Sequence, residues 1–235
     1  MKQRNLKILV VLFLSIALNS YCQSDSSLQY LTQTKETSSK MTPQDALQML
    51  KDGNKRFTSN TLLKRDYSRQ AAETAKGQYP FAIVLGCVDS RSPAEIIFDQ
   101  GIGDIFNARV AGNISNDDIL GSMEFACKVN GSKLIVVIGH TNCGAIKGAC
   151  DDVHLGNLTT LLSKIKPAVD AVPDSGNRTS KNHEFVEKVS RENVLLTMQD
   201  IKKNSPILKD LIDNGTVILI GAMYDLETGE VTFYE

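Results

Sequence analysis

The sequence predicts an α/β fold, with a central, mainly parallel β-sheet flanked by helices and an edge hairpin near the C-terminus. Three observations predict it. Short runs rich in Val, Ile and Leu, at residues 81–85, 105–110, 134–138 and 217–220, end in turns. Longer stretches between them carry apolar residues at helical spacing. The runs do not alternate apolar with polar residues, which is the pattern of strands buried on both faces. At 235 residues with 42% hydrophobic content, the chain is long enough for one large domain with a substantial core.

The elements follow in order. Lys2, Arg4 and Lys7 precede an apolar run over residues 8–18, interrupted only by Ser15, and the more polar Asn19, Ser20, Tyr21, Cys22 and Gln23 come next. That order reads as a secretory signal over residues 1–22, with the mature chain starting at Gln23. The run falls short of the roughly 20 apolar residues a bilayer-spanning helix needs, so no stable membrane span is expected after cleavage. An exported protein, periplasmic or secreted, is the expectation. The alternatives are an uncleaved anchor and a lipid anchor on Cys22, which Asn19, Ser20 and Tyr21 fit poorly. Residues 23–40, rich in Ser, Thr, Gln and Lys, read as a polar linker, and the folded domain is placed at 41–235. Thr42 and Pro43 open its first helix, whose apolar face carries Ala46, Leu47, Leu50 and Phe57. Further helices are predicted at 117–129, 158–169 and 184–203. Ser205-Pro206 should end the last of these and start another, because proline biases its predecessor away from helix. Residues 222–233 form the edge hairpin, with Thr228-Gly229 at its turn.

Charge excludes one class of function. Lys plus Arg number 26 and Asp plus Glu 27, so there is no basic excess to meet nucleic acid. Gly101-Ile-Gly103 lacks the third glycine of a dinucleotide loop, and no nucleotide cofactor is implied. His154, His183, Lys164 and Lys166 read as surface residues. In an oxidising compartment Cys87, Cys127, Cys143 and Cys150 could make two disulfides. Cys127, in an apolar helical stretch, reads better as a small buried hydrophobe, and Cys150 is undecided.

Two strands end in metal-ligand chemistry: Gly86-Cys87-Val-Asp89-Ser-Arg91 follows the first, and Gly139-His140-Thr-Asn-Cys143 the third. In open parallel sheets ligands bind beyond the carboxyl ends of the strands, where both clusters fall. Gly86 and Gly139 are expected to let the backbones approach closely. Cys87, His140 and Cys143 are three suitable ligands for Zn2+, and the lack of an obvious fourth favours an open, catalytic position over a closed structural one. Zinc makes hydroxide available near neutral pH by acidifying bound water. Asp89 and Arg91, two apart, can form a bidentate pair that keeps the carboxylate ionised beside that water. If the pair breaks, Asp89 becomes a fourth metal ligand in a closed state.

The chain resembles the β-class carbonic anhydrases. The resemblance is carried by the two metal motifs and by Ile96-Ile-Phe-Asp-Gln-Gly-Ile-Gly-Asp-Ile-Phe106, Arg109-Val-Ala-Gly-Asn113 and Gly121-Ser-Met-Glu-Phe125. It extends from Leu50-Lys-Asp-Gly-Asn-Lys-Arg-Phe57 to Gly221-Ala-Met-Tyr-Asp-Leu226. It implies zinc on Cys87, His140 and Cys143, a dyad of Asp89 and Arg91, reversible hydration of carbon dioxide to bicarbonate by attack of zinc-bound hydroxide, and a homodimer or homotetramer. Family members regulated through a second bicarbonate site use a tryptophan there. This chain has none, which argues against that mode of regulation. Two other readings compete: a hydrolase for a sulfur analogue of carbon dioxide, and a zinc-binding module without activity.

Overall fold

The computed structural model describes residues 32–173 and 176–234; the segment read as a signal, with Cys22, and the start of the linker lie outside the described residues. Five strands form one sheet in the order β2-β1-β3-β4-β5. β1 (Ala82–Gly86), β2 (Ile105–Arg109), β3 (Leu134–His140) and β4 (Ile218–Tyr224) are parallel, and β5 (Val231–Tyr234) returns antiparallel to β4. Every residue of β1 and β3 is buried, which is why these runs carry no polar alternation. Ala82 lies opposite Leu134 and Leu85 opposite Val137. The carboxyl ends of β1 and β3 therefore finish side by side.

Helices cover both faces. On one, α2 (Pro43–Thr58) and α4 (Ala94–Ile97) bring Ala46, Leu50 and Ile97 onto Val84, Val136 and Ala222. On the other, α5 (Asp117–Glu124), α9 (His183–Asn204) and α10 (Pro206–Asp213) bring Leu120, Val194 and Leu208 onto Ile83, Leu85, Ile135 and Val137. The split of odd and even strand positions between the two cores follows the two-residue period of the pleat. A third cluster packs α6 (Gly144–Cys150), α7 (Gly156–Ser163), α8 (Lys166–Ala171) and the start of α9 around Cys87 and Cys143. Buried Asn54 on α2 is satisfied at both ends of its amide. It donates to the carbonyls of Ile97 and Gly229 at 3.0 and 2.9 Å and accepts from the N–H of Val231 at 2.9 Å, tying the helix to the hairpin.

Three elements differ from expectation. The end of the segment read as a linker forms α1 (Lys35–Lys40), because the Thr34 and Thr37 side chains each accept the other's backbone N–H in a capping box. The helix expected at 158–169 is two, α7 and α8. Pro167 lies in the first turn of α8, where it needs no N–H partner; inside one long helix it would have removed a bond and clashed with the preceding turn. The helix expected at 117–129 is α-helical only to Glu124, then widens into a π turn over Phe125–Val129, with the Asn130 N–H reaching back to the Phe125 carbonyl. Between α2 and β1, α3 (Tyr67–Thr74) completes the set.

Candidate active site

Cys87 is the first residue beyond β1, His140 the last of β3, and Cys143 the residue that caps α6. A short turn separates the latter two, so the paired strand ends deliver all three to one place. Their ligand atoms lie within 4.8 Å of one another and all three residues are buried. The two sulfurs are 4.0 Å apart. Tetrahedral zinc with Zn–S near 2.3 Å sets its sulfurs about 3.8 Å apart, so the spacing fits that ion. His140 Nδ1 lies 2.9 Å from the Thr141 carbonyl, which assigns the proton to Nδ1 and leaves Nε2 with a lone pair. Nε2 is buried without a hydrogen-bond partner, facing the sulfurs, as a metal ligand would be.

The thiols are unequal. A hydrogen bond from Cys143 draws the Cys87 thiol well below its ordinary value, helped by the Gly112 N–H, 3.4 Å from its sulfur. The same bond, with burial, pushes Cys143 up, since two thiolates side by side repel. A divalent cation between them removes that repulsion, which is the second sign that the site suits a metal. Cys127, by contrast, is pushed up to about 12 by burial alone. Burial likewise raises Cys150, to about 11, and neither lies in the cluster. Among the described residues, Cys87, Cys127, Cys143 and Cys150 are free thiols.

Asp89 and Arg91 pair as the sequence predicts. Arg91 donates from Nε to Oδ1 at 2.9 Å and from Nη2 to Oδ2 at 2.7 Å, and its backbone N–H reaches Oδ1 at 3.0 Å. These donors hold the Asp89 carboxyl well below the usual carboxylate range. Oδ2 stands 3.8 Å from His140 Nε2, at the rim of the cluster. The Arg91 side chain is 59% exposed against 15% for Asp89, so the dyad bridges the sealed ligands and open water.

A family model described as carbonic anhydrase matches residues 82–231, which include all five of these side chains. Carbonic anhydrase 2 of Mycobacterium tuberculosis is 36% identical over 193 residues, covering 80% of this chain and 90% of the relative. The chain belongs to the β-class carbonic anhydrases. The carbonic anhydrase of Mycolicibacterium smegmatis is 35% identical over 196 residues, covering 80% and 92%. A structure of the tetrameric β-carbonic anhydrases of Sordaria macrospora superposes with a TM-score of 0.60 at 26% identity, covering 71% of this chain and 89% of that one. This protein is thus a carbonic anhydrase, and the α/β architecture predicted for it is the family's.

Two residues that hold the carbonic anhydrase site together carried no role in the sequence reading. Arg109, at the end of β2, donates from Nε to the Cys87 carbonyl at 2.8 Å and from Nη2 to the Asp89 carbonyl. Gly112, which gives its N–H to Cys87, has φ +71°, and a Cβ there would fall 2.5 Å from Ile165. Both lie in Arg109-Val-Ala-Gly-Asn113, and that motif was the available signal. Of the two glycines before the ligands, Gly139 does permit a close approach, though of Val194 and Met223 and not of the other strand. Gly86 has only an ordinary contact. His154 and His183 are exposed and apart from the cluster, as are Lys164 and Lys166.

Proposed function

We propose that the protein hydrates carbon dioxide reversibly to bicarbonate and a proton at a zinc ion held by Cys87, His140 and Cys143. The observation that carries this reading is a buried two-sulfur, one-nitrogen cluster beside a carboxylate that is turned toward Arg91 and not into the cluster. Zinc bound there supplies Lewis acidity that lowers the pKa of a coordinated water by several units. Asp89, kept ionised by Arg91, accepts one O–H of the reacting water and aims the oxygen at the substrate carbon. That oxygen bonds to carbon, one carbonyl electron pair moves onto its oxygen, and the proton leaves to solvent. By holding the carboxylate, Arg91 would also keep Asp89 off a bound ion, and breaking their pair would free it to serve as a fourth ligand in a closed state. Two thiolates offset the charge of the ion, so activity rises toward alkaline pH.

Stopped-flow hydration assays with zinc measured on the same sample test this. One zinc per chain and a loss of about 10²-fold or more in turnover for Asp89→Ala are expected. Full turnover in that variant or in Arg91→Ala, or a flat rate from about pH 6 to 9, counts against it.

The proposal extends to assembly and location. A homodimer or homotetramer is supported by the tetrameric Sordaria macrospora relatives, and light scattering of the purified chain tests it. Export to the periplasm or medium is supported by the basic and apolar start of the sequence. Among the described residues no helix is long and apolar enough to cross a membrane. N-terminal sequencing of the mature protein, expected to begin at Gln23, tests export; an intact Met1 opposes it.

A further inference from the structure

α9 supplies no metal ligand, yet it lies against the turn that supplies two. A Cβ on Gly139 would fall 2.9 Å from Val194 Cγ2 and 2.7 Å from Met223 Sδ, so the bare backbone lets α9 close on the end of β3. Val194 is stiff at χ1, so this approach is not easily widened. Glu187 precedes Val194 by seven residues, two helical turns, and so shares the face that meets β3. It reaches the His140–Cys143 turn, where its Oε1 accepts the N–H of Asn142 at 2.9 Å.

Asn142 is where this turn is weakest. Its φ is +56°, in the left-handed region that disfavours a residue with a Cβ, although asparagine tolerates it better than most. Thr141 is held from the other side, its N–H on the Tyr224 carbonyl at 3.0 Å and its Oγ1 accepting from Leu226 N at 2.9 Å. Lys147 Nζ reaches the Asn142 side chain at 3.1 Å. The backbone N–H of Asn142, between the two ligands, is held by Glu187, through a charge-assisted bond of the stronger kind.

We propose that Glu187 is a positioning residue for the metal: by fixing Asn142 in its left-handed conformation it locks His140 and Cys143 at the spacing zinc requires and slows loss of the ion. This rests on the zinc reading above. The acceptor oxygen is what matters, so glutamine at this position serves nearly as well as glutamate, and alanine does not.

The test loads wild type, Glu187→Ala and Glu187→Gln with zinc and follows release to a chromophoric chelator, with thermal melting of each protein alongside. Partners in the outer shell of a metal site typically change affinity 10–100-fold, so release from E187A is expected to be about 10–100 times faster, with E187Q close to wild type. Equal release from wild type and E187A overturns the inference, whatever the melting temperatures do, because a merely structural role moves the melt and not the release. Release from E187Q as fast as from E187A also overturns it. A wild type that takes up no zinc overturns the functional reading and this inference together, whereas zinc held equally well by E187A and wild type overturns this inference alone.

Discussion

Arg109 donates to the carbonyls of Cys87 and Asp89, so one side chain sets the path of the backbone that carries both a proposed metal ligand and the dyad carboxylate. Its own charge touches neither the sulfur nor the carboxylate. Arg109→Gln is therefore expected to keep zinc stoichiometry but to lose turnover, because a misplacement of about 1 Å costs on the order of 10²-fold in a positioned reaction. Zinc analysis and kcat on the same preparation check this, and an unchanged kcat removes Arg109 from the machinery. The case also marks what the sequence makes legible in the site. Cys87, His140, Cys143, Asp89 and Arg91 are readable because their chemistry is in their residue types and their place is at strand ends. Arg109 and Glu187 act on backbone groups, which every residue has, so no pairing of residue types announces them. Cys87 and Cys127 make the same point in reverse: one thiol is drawn down by a hydrogen-bonding neighbour and the other pushed up to about 12 by burial.

At the scale of elements, the β4–β5 hairpin depends on Asp225. Its Oδ1 accepts the N–H groups of Glu227 and Thr228, both at 2.8 Å, while its backbone bonds to Glu230 and Gly229 close the turn. Those two donors lower its carboxyl pKa, Thr228 first. The folded value thus lies below the unfolded value of about 3.9, so the stabilisation is present above that pH and is lost as pH falls through the folded value. Asp225→Ala is expected to cost about 1 kcal/mol at neutral pH, with the gap to wild type closing as pH falls through the folded carboxyl's lowered value. Urea unfolding at neutral and acid pH measures it; a gap that does not change with pH assigns the loss to something other than the charged carboxylate. Sheet and helices were largely legible because burial on both faces and helical periodicity are properties of residue type. The failures were local. Pro167 splits α7 from α8, a capping box makes a helix of what composition marks as linker, and the π turn at Phe125–Val129 keeps the apolar spacing of an α-helix while changing its hydrogen bonds.

Across the whole molecule, the proposed zinc ligands join parts of the chain that are far apart in sequence and central in space. Cys87 and Cys143 are 56 residues apart, and they and His140 extend from β1, β3 and the start of α6. β1 and β3 are the strands buried at every position, with α2 on one face and α9 on the other, so opening the metal site and unfolding the sheet involve the same elements. An ion bound only by the folded chain stabilises it by about 1.4 kcal/mol for each tenfold rise in free concentration above its dissociation constant. For a domain of this size 1 kcal/mol shifts the melting temperature by about 2–4 °C. The melting temperature is therefore expected to climb by about 3–6 °C per decade of buffered free zinc in the wild type. In Cys143→Ser, which loses one of the two sulfurs, the slope is expected to flatten over the same range. Calorimetry in zinc buffers decides it: parallel slopes in the two proteins mean that the ion binds somewhere other than the sulfur pair at the strand ends.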